Sequence, residues 1–255
     1  MNDQAQRTIS VRVRRQDRRG SAGYWQTFRI AHQPNMNVIS LLQEIAARPV
    51  TVEGRHTAPV VYDSNCLENV CGSCSMVING RARQACNTLV DALLAERPQV
   101  EIAPLSKFPV VRDLFVDRSR MFDALKKVRA WIPVDTYGPI GEGPVVAPED
   151  AATRYDLSRC MTCGCCLEVC PQVNHRSEFI GPQAIGQAAL FNLHPTGAMN
   201  SGPRLEALME PGGISDCGNA QNCVKACPKQ VPLTWAIGKV GRDTTLHAIR
   251  RWLMK

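Results

Sequence analysis

Twelve cysteines dominate the chemistry open to this 255-residue chain, and eleven of them fall into sets with ligand-like spacing. Cys66-x4-Cys71-x2-Cys74, followed after an x11 interval by Cys86, has the spacing of a plant-type [2Fe–2S] site. Three thiolates from one loop and a fourth from the adjoining hairpin strand surround a two-iron rhomb. Gly72 lets the backbone approach and donate to the sulfides. Tetrahedral zinc is the competing reading of four cysteines. The x4-x2 loop is unlike the paired C-x2-C knuckles that zinc takes, so iron–sulfur chemistry is preferred. Arg81 and Arg83 lie close by and read as a solvated face.

Cys160-x2-Cys163-x2-Cys166-x3-Cys170-Pro171 is the bacterial ferredoxin run, whose last cysteine ligates the other cluster. A partner run spans Cys217 to Pro228, with Cys217, Cys223 and Cys227 at the first, third and fourth positions and Ala220 at the second. Crossed ligation gives a [4Fe–4S] site of Cys160, Cys163, Cys166 and Cys227. Cys170, Cys217 and Cys223 remain for the other. Alanine offers no ligand to a fourth iron, so this site is expected to hold a [3Fe–4S] cluster with a comparatively high potential. Cys165 reads as a small buried hydrophobe, because its side chain projects away from that of Cys166. Pro171 and Pro228 stop the chain after each run and remove an N–H there. Ile180, Leu190 and Phe191 are candidates for dry walls, a role that core packing explains equally well.

These ligands need two kinds of scaffold. Strand-like segments run from Thr8 to Arg14, Tyr24 to Ala31, Ser75 to Ile78, Ala82 to Cys86 and Val100 to Ala103. Asn37 caps a helix over Val38 to Ala47, and Asn79-Gly80 is a two-residue hairpin signal. After Pro109 the pattern turns helical. Leu114, Phe115, Met121, Leu125, Val128 and Trp131 predict a helix over Asp113 to Trp131, and Leu233 to Val240 and Leu246 to Met254 predict two more stretches. The expected organisation is an α+β domain over residues 1–110 and an all-α helical ferredoxin-like domain over 111–255. A Pro/Gly-rich passage, Pro133 to Pro148, lies within the second.

Composition narrows the classes. Apolar residues are 44% and charged residues 21%, the profile of a folded globular protein. Residues Met1 to Arg7 lack a basic region followed by an apolar stretch, so no secretory signal is expected and the thiols should meet a reducing cytoplasm. The longest stretch without Asp, Glu, Lys or Arg, Phe179 to Pro203, is interrupted by Pro182, Pro195 and several glycines, which excludes a membrane span. Any membrane contact is expected to be peripheral. The formal charge of +7 falls to about +1 if three clusters with their thiolates carry roughly −2 each, so nucleic acid is not an expected partner. From Lys225 to Lys255 there are seven Lys/Arg against Asp243 alone, a net of +6 that suits lipid phosphates, haem propionates or solvent. No G-x-G-x-x-G follows a strand and no P-loop is present. Gly138, Gly141 and Gly143 fit a turn better than a dinucleotide site.

The order of ligand sets resembles that of the iron–sulfur subunits of succinate dehydrogenases and fumarate reductases. The likeness covers nearly the whole chain. It is carried by Asn65-Cys-Leu-Glu-Asn-Val-Cys-Gly-Ser-Cys74, Arg112-Asp-Leu-Phe-Val-Asp117, both ferredoxin runs and His194-Pro-Thr-Gly-Ala198. Arg159-Cys-Met-Thr-Cys-Gly-Cys-Cys-Leu-Glu168 and Asp216-Cys-Gly-Asn-Ala-Gln-Asn-Cys223 resemble the branch with one di-haem cytochrome b anchor, commonly linked to menaquinone.

The resemblance implies a β-grasp fold for the first domain. It also implies an FAD-containing flavoprotein partner on the [2Fe–2S] side, and a membrane cytochrome b anchor carrying haem b, with quinone at the interface, on the [3Fe–4S] side. A peripheral place on the cytoplasmic face of the plasma membrane follows. Pro171 matches the motif near the quinone. His175 is a positional candidate, with a surface or interface histidine as the alternative. His175 and Gly218 stand where many ubiquinone-linked relatives carry Trp and His, so their quinone residues do not transfer wholesale. Succinate oxidation and fumarate reduction use the same ligands. A diffusible multi-cluster carrier, another multisubunit reductase of the heterodisulfide type and a zinc module are the readings from other classes.

Overall fold

The structure is a computed structural model that describes residues 7–132 and 145–254. The expected turn at Gly138, Gly141 and Gly143 and the leader reading of residues 1–6 lie outside the described residues. Two compact units emerge, Met1–Arg118 with Cys163–Cys165, and Ser119–Thr162 with Cys166–Lys255.

The first unit is built on a mixed five-stranded sheet. Its strands are β1 (Thr8–Arg15), β2 (Tyr24–Ala31), β3 (Ser75–Ile78), β4 (Arg81–Gln84) and β5 (Gln99–Ala103), in spatial order β2-β1-β5-β3-β4. β1 pairs antiparallel with β2 and parallel with β5, which runs antiparallel to β3. Alternation along β1 sends Ile9, Val11 and Val13 to one buried face. There they join Val100, Ile102, Met76 and Ile78, together with Ile39, Leu42 and Ile45 of α1 (Val38–Ala47). A sheet crossed by one helix is the β-grasp-like arrangement expected.

Local signals set the details. Asn37 Oδ1 accepts from Ser40 N at 3.0 Å, capping α1, while Asn37 Nδ2 donates to Cys86 O at 3.1 Å. The β3–β4 turn places Asn79 at φ 47° and Gly80 at φ 77°, the paired left-handed conformation of a type I′ hairpin. A second helix, α2 (Val90–Glu96), escapes the sequence reading. It is short, and Val90 and Leu93 supply its buried face.

Two expectations need correction in this unit. The strand expected to reach Cys86 ends at Gln84, and Ala85–Asn87 form a 3-10 turn that presents Cys86. The helix expected from Asp113 does not begin there. Residues Val110–Arg112 (β6) and Phe115–Val116 (β7) form a small antiparallel pair, with Asp113 at φ 47° in its turn. The Asp113 carboxylate accepts from Arg15, Gln16 N and Val61 N, and Leu114 enters the first core. These long-range bonds outweigh the helical periodicity of the segment, and the first unit extends to Arg118 rather than ending near residue 110.

The second unit is helical. α3 (Ser119–Lys127) is followed by α4 (Pro148–Ser158), the four-residue α5 (Cys165–Glu168), α6 (Pro182–Leu193), α7 (Pro195–Ala198), α8 (Ser201–Met209), α9 (Asn222–Ala226) and α10 (Leu233–Leu253). α6 is central, packing against α4, α8 and α10. The two stretches expected at the C-terminal end are one helix of 21 residues. The intervening Gly241-Arg-Asp-Thr-Thr245 has weak helix propensity, but Thr244 is buried and its hydroxyl donates to Gly241 O at 2.9 Å. Gly197 in His194-Pro-Thr-Gly-Ala198 has a packing reason, since a Cβ there would lie 2.1 Å from Phe191 O.

Candidate metal centre

The loop of Cys66 to Cys74 alternates left-handed residues, Leu67 at φ 60°, Asn69 at φ 57° and Gly72 at φ 76°, with ordinary ones. Successive peptide N–H groups therefore turn toward a common side, as in an anion-binding nest. The N–H groups of Val70 and Cys71 each donate to Cys66 Sγ at 3.3 Å, and that of Asn69 to Cys86 Sγ at 3.3 Å. Cys71 Sγ accepts from Cys66 N and Ser73 N, both at 3.5 Å. Burial acts to raise the Cys71 thiol, yet these N–H groups, with the Ser73 hydroxyl, bring it down from 9.0 to about 6. Cys74 differs. Burial first, then its neighbour Cys86, pushes its thiol up to about 12. A loop that aims this many N–H donors at sulfur suits thiolates sharing a buried, negatively charged inorganic group.

The loop is braced by residues with no motif to announce them. Arg118 donates from Nη1 to Gly72 O at 2.8 Å and from Nη2 to Ser73 O. Ser75 Oγ also donates to Gly72 O, at 2.7 Å, and accepts from Gln84 Nε2 at 2.7 Å. Arg83 pairs loosely with Glu96 at 3.7 Å, away from any ligand role.

Cys163 and Cys165 belong to the first unit. The Cys163 thiol is lowered to about 7, chiefly by a side-chain hydrogen bond with Cys165, against the opposing effect of burial. Cys165 is fully buried, and Gln84 Nε2 lies 3.6 Å from its sulfur. In the second unit Cys160 follows α4, Cys166 lies buried in α5, and Cys227 ends α9 with its sulfur accepting from Val231 N at 3.4 Å.

A cleft of the second unit is lined by Cys170, Cys217 and Cys223, with Ala220 between them in the wall. Burial, and then the nearby Cys170 and Cys217, raise the Cys223 thiol. Pro171 and Gln172 also line the cleft, and a Cβ on Gly218 would come 2.5 Å from Gln172 Nε2. His175 is exposed and does not line it. Ile180 is buried elsewhere, and half-buried Phe191 lies under Arg204 at 5.8 Å. Neither these two nor Leu190 contributes to the cleft wall. Among the described residues, no three His, Cys, Asp or Glu side chains are arranged to hold a single metal ion. No helix among them is long and apolar enough to cross a membrane.

Residues 10–123 match the family model of a 2Fe-2S iron-sulfur cluster binding domain, and residues 156–231 match that of a 4Fe-4S dicluster domain. The chain is 55% identical over 247 residues to the succinate dehydrogenase iron-sulfur subunit of Bacillus subtilis, covering 97% of this chain and 96% of that one. It is 32% identical over 193 residues to the fumarate reductase iron-sulfur subunit of Haemophilus influenzae, covering 70% and 73%. Its fold is similar to that of a chain in the Mycobacterium smegmatis Sdh1 complex in the apo form, with a TM-score of 0.76, 24% identity and coverage of 97% and 98%.

Proposed function

The chain belongs to the family of iron–sulfur subunits of succinate dehydrogenases and fumarate reductases, and from that premise we propose that it serves succinate:quinone oxidoreductase as a three-cluster electron relay. Its ligands in this reading are Cys66, Cys71, Cys74 and Cys86 for [2Fe–2S], Cys160, Cys163, Cys166 and Cys227 for [4Fe–4S], and Cys170, Cys217 and Cys223 for [3Fe–4S]. Bound clusters supply one-electron chemistry, which matches a two-electron flavin to a two-electron quinone. The observation that carries the reading is the lining of one cleft by Cys170, Cys217, Cys223 and Ala220.

The chain's own residues bind and position. Peptide N–H groups of the Cys66–Cys74 loop hold thiolate charge, and Arg118 fixes that loop through its carbonyls. Pro171 stands at the cleft where a quinone would approach; exposed His175 is the second candidate for that contact. Partners in this reading are a flavoprotein subunit carrying FAD and a cytochrome b anchor carrying haem b, with menaquinone as acceptor at the cytoplasmic face of the membrane. Trp235, Leu246, Ile249 and Leu253 leave apolar surface exposed on α10, opposite buried Ala236, Val240 and Thr244. That surface favours a fixed assembly over a diffusible carrier.

Low-temperature EPR with redox titration of the purified complex tests the proposal. Three distinct magnetic centres, co-purifying with flavin and membrane, are expected; a fully loaded anaerobic preparation with fewer than three overturns it. Fumarate reduction is the second reading, favoured by relatives of that name, and the ordering of potentials in the same titration separates the two directions.

A further inference from the structure

Gln84 connects two ligand sets that the sequence separates by almost eighty residues. It is 2% exposed, beside Cys74 at 3%, Ser75 at 2% and Cys165 at 0%, so its amide has no water to turn to. Cys74 Sγ lies 3.6 Å from Gln84 Oε1, and Cys165 Sγ lies 3.6 Å from Gln84 Nε2. Cys74, Gln84 and Cys165 thus form one continuous chain of contacts within the first unit.

As thiols, Cys74 donates to Oε1. A metal-bound thiolate has no proton and only accepts, so a carbonyl oxygen facing it at that distance is repelled. Rotating the amide by half a turn resolves this. Nε2 then donates to Cys74 Sγ, and Oε1 takes over the contact with Ser75 Oγ, now 2.7 Å from Nε2. Ser75 can supply that proton, because Gly72 O, to which it donates, keeps Arg118 Nη1 at 2.8 Å. Cys165 Sγ, 3.6 Å from Nε2 before the turn, then faces Oε1, to which a thiol can donate.

Resting on the ligand reading above, we propose that Gln84 is a tuning residue, donating N–H to Cys74 Sγ of the [2Fe–2S] site. Donors at ligand sulfur stabilise the more negative, reduced state and so raise the potential of the centre they touch.

The test is redox-titrated EPR of the assembled complex carrying Gln84→Leu or Gln84→Met. Gln84→Leu is expected to lower the [2Fe–2S] midpoint and leave the [4Fe–4S] midpoint in place. Gln84→Met, closer to glutamine in length and likewise without an N–H, should lower it too. An unchanged [2Fe–2S] midpoint in either variant overturns the proposal while leaving the ligand reading intact. If Gln84→Leu fails to assemble, Gln84→Met decides alone. Loss of the [2Fe–2S] signal from the wild-type complex would refute the ligand reading itself.

Discussion

Arg15 and Asp113 form a buried two-point ion pair, with Nε to Oδ1 at 2.9 Å and Nη2 to Oδ2 at 3.1 Å. The two residues are 1% and 0% exposed. This pair ties the end of β1 to the β6–β7 turn and keeps residues 110–118 with the first unit. Asp113→Asn, which still tolerates the left-handed turn, leaves the guanidinium uncompensated and is expected to cost about 3–5 kcal/mol. The denaturant midpoint of the loaded chain measures it. Adding Arg15→Met should recover much of the loss; no recovery would mean the pair is not the cause.

Arg204 is a buried cation that pairs with no carboxylate among the described residues. It donates to the carbonyls of Arg129 at 3.0 Å, Trp131 at 2.7 Å and Gly197 at 2.7 Å, and to Asn192 Oδ1 at 3.0 Å. Burial lowers its pKa, but an arginine starts high enough to stay charged. Arg204→Ala strands those acceptors and is expected to cost about 3 kcal/mol or more. Arg204→Lys should rescue little, because one ammonium cannot span the fork. Thermal unfolding of both variants gives the comparison, and full rescue by lysine would contradict the geometry.

Asp91 provides an acid-side contribution. Its carboxyl is held below the usual range by the His32 side chain, 2.6 Å away, and by the Asn35 N–H. A folded pKa below the unfolded one means the stability is present above about pH 4 and is lost as pH falls through the folded value. Asp91→Asn should therefore destabilise near neutrality, with the difference from wild type shrinking toward pH 3. Urea midpoints at stepped pH check this; a difference that grows on acidification reverses the sign.

Ala220→Cys places a fourth thiol on the cleft of Cys170, Cys217 and Cys223. The expected outcome is loss of the [3Fe–4S] EPR signal, gain of a four-iron one and a lower potential at that site. An unchanged three-iron signal would show that residue 220 does not face the missing corner, or that the ligands are not crossed as proposed.

Much of this was legible locally. Asn37, Asn79-Gly80 and the cysteine spacings act through neighbours a few residues away, so residue type alone determined the cap, the hairpin and the grouping of ligand cysteines along the chain. Tertiary contacts decided the rest. Leu114 and Phe115 carry helical spacing, yet Asp113 is held by Arg15, 98 residues earlier. Gly241 to Thr245 read as a break until burial of Thr244 makes the helix continuous. Gln84, Arg118 and Arg204 carry no motif; each matters for the carbonyl or sulfur it meets across the fold, and such meetings depend on how distant segments pack rather than on any period in the chain.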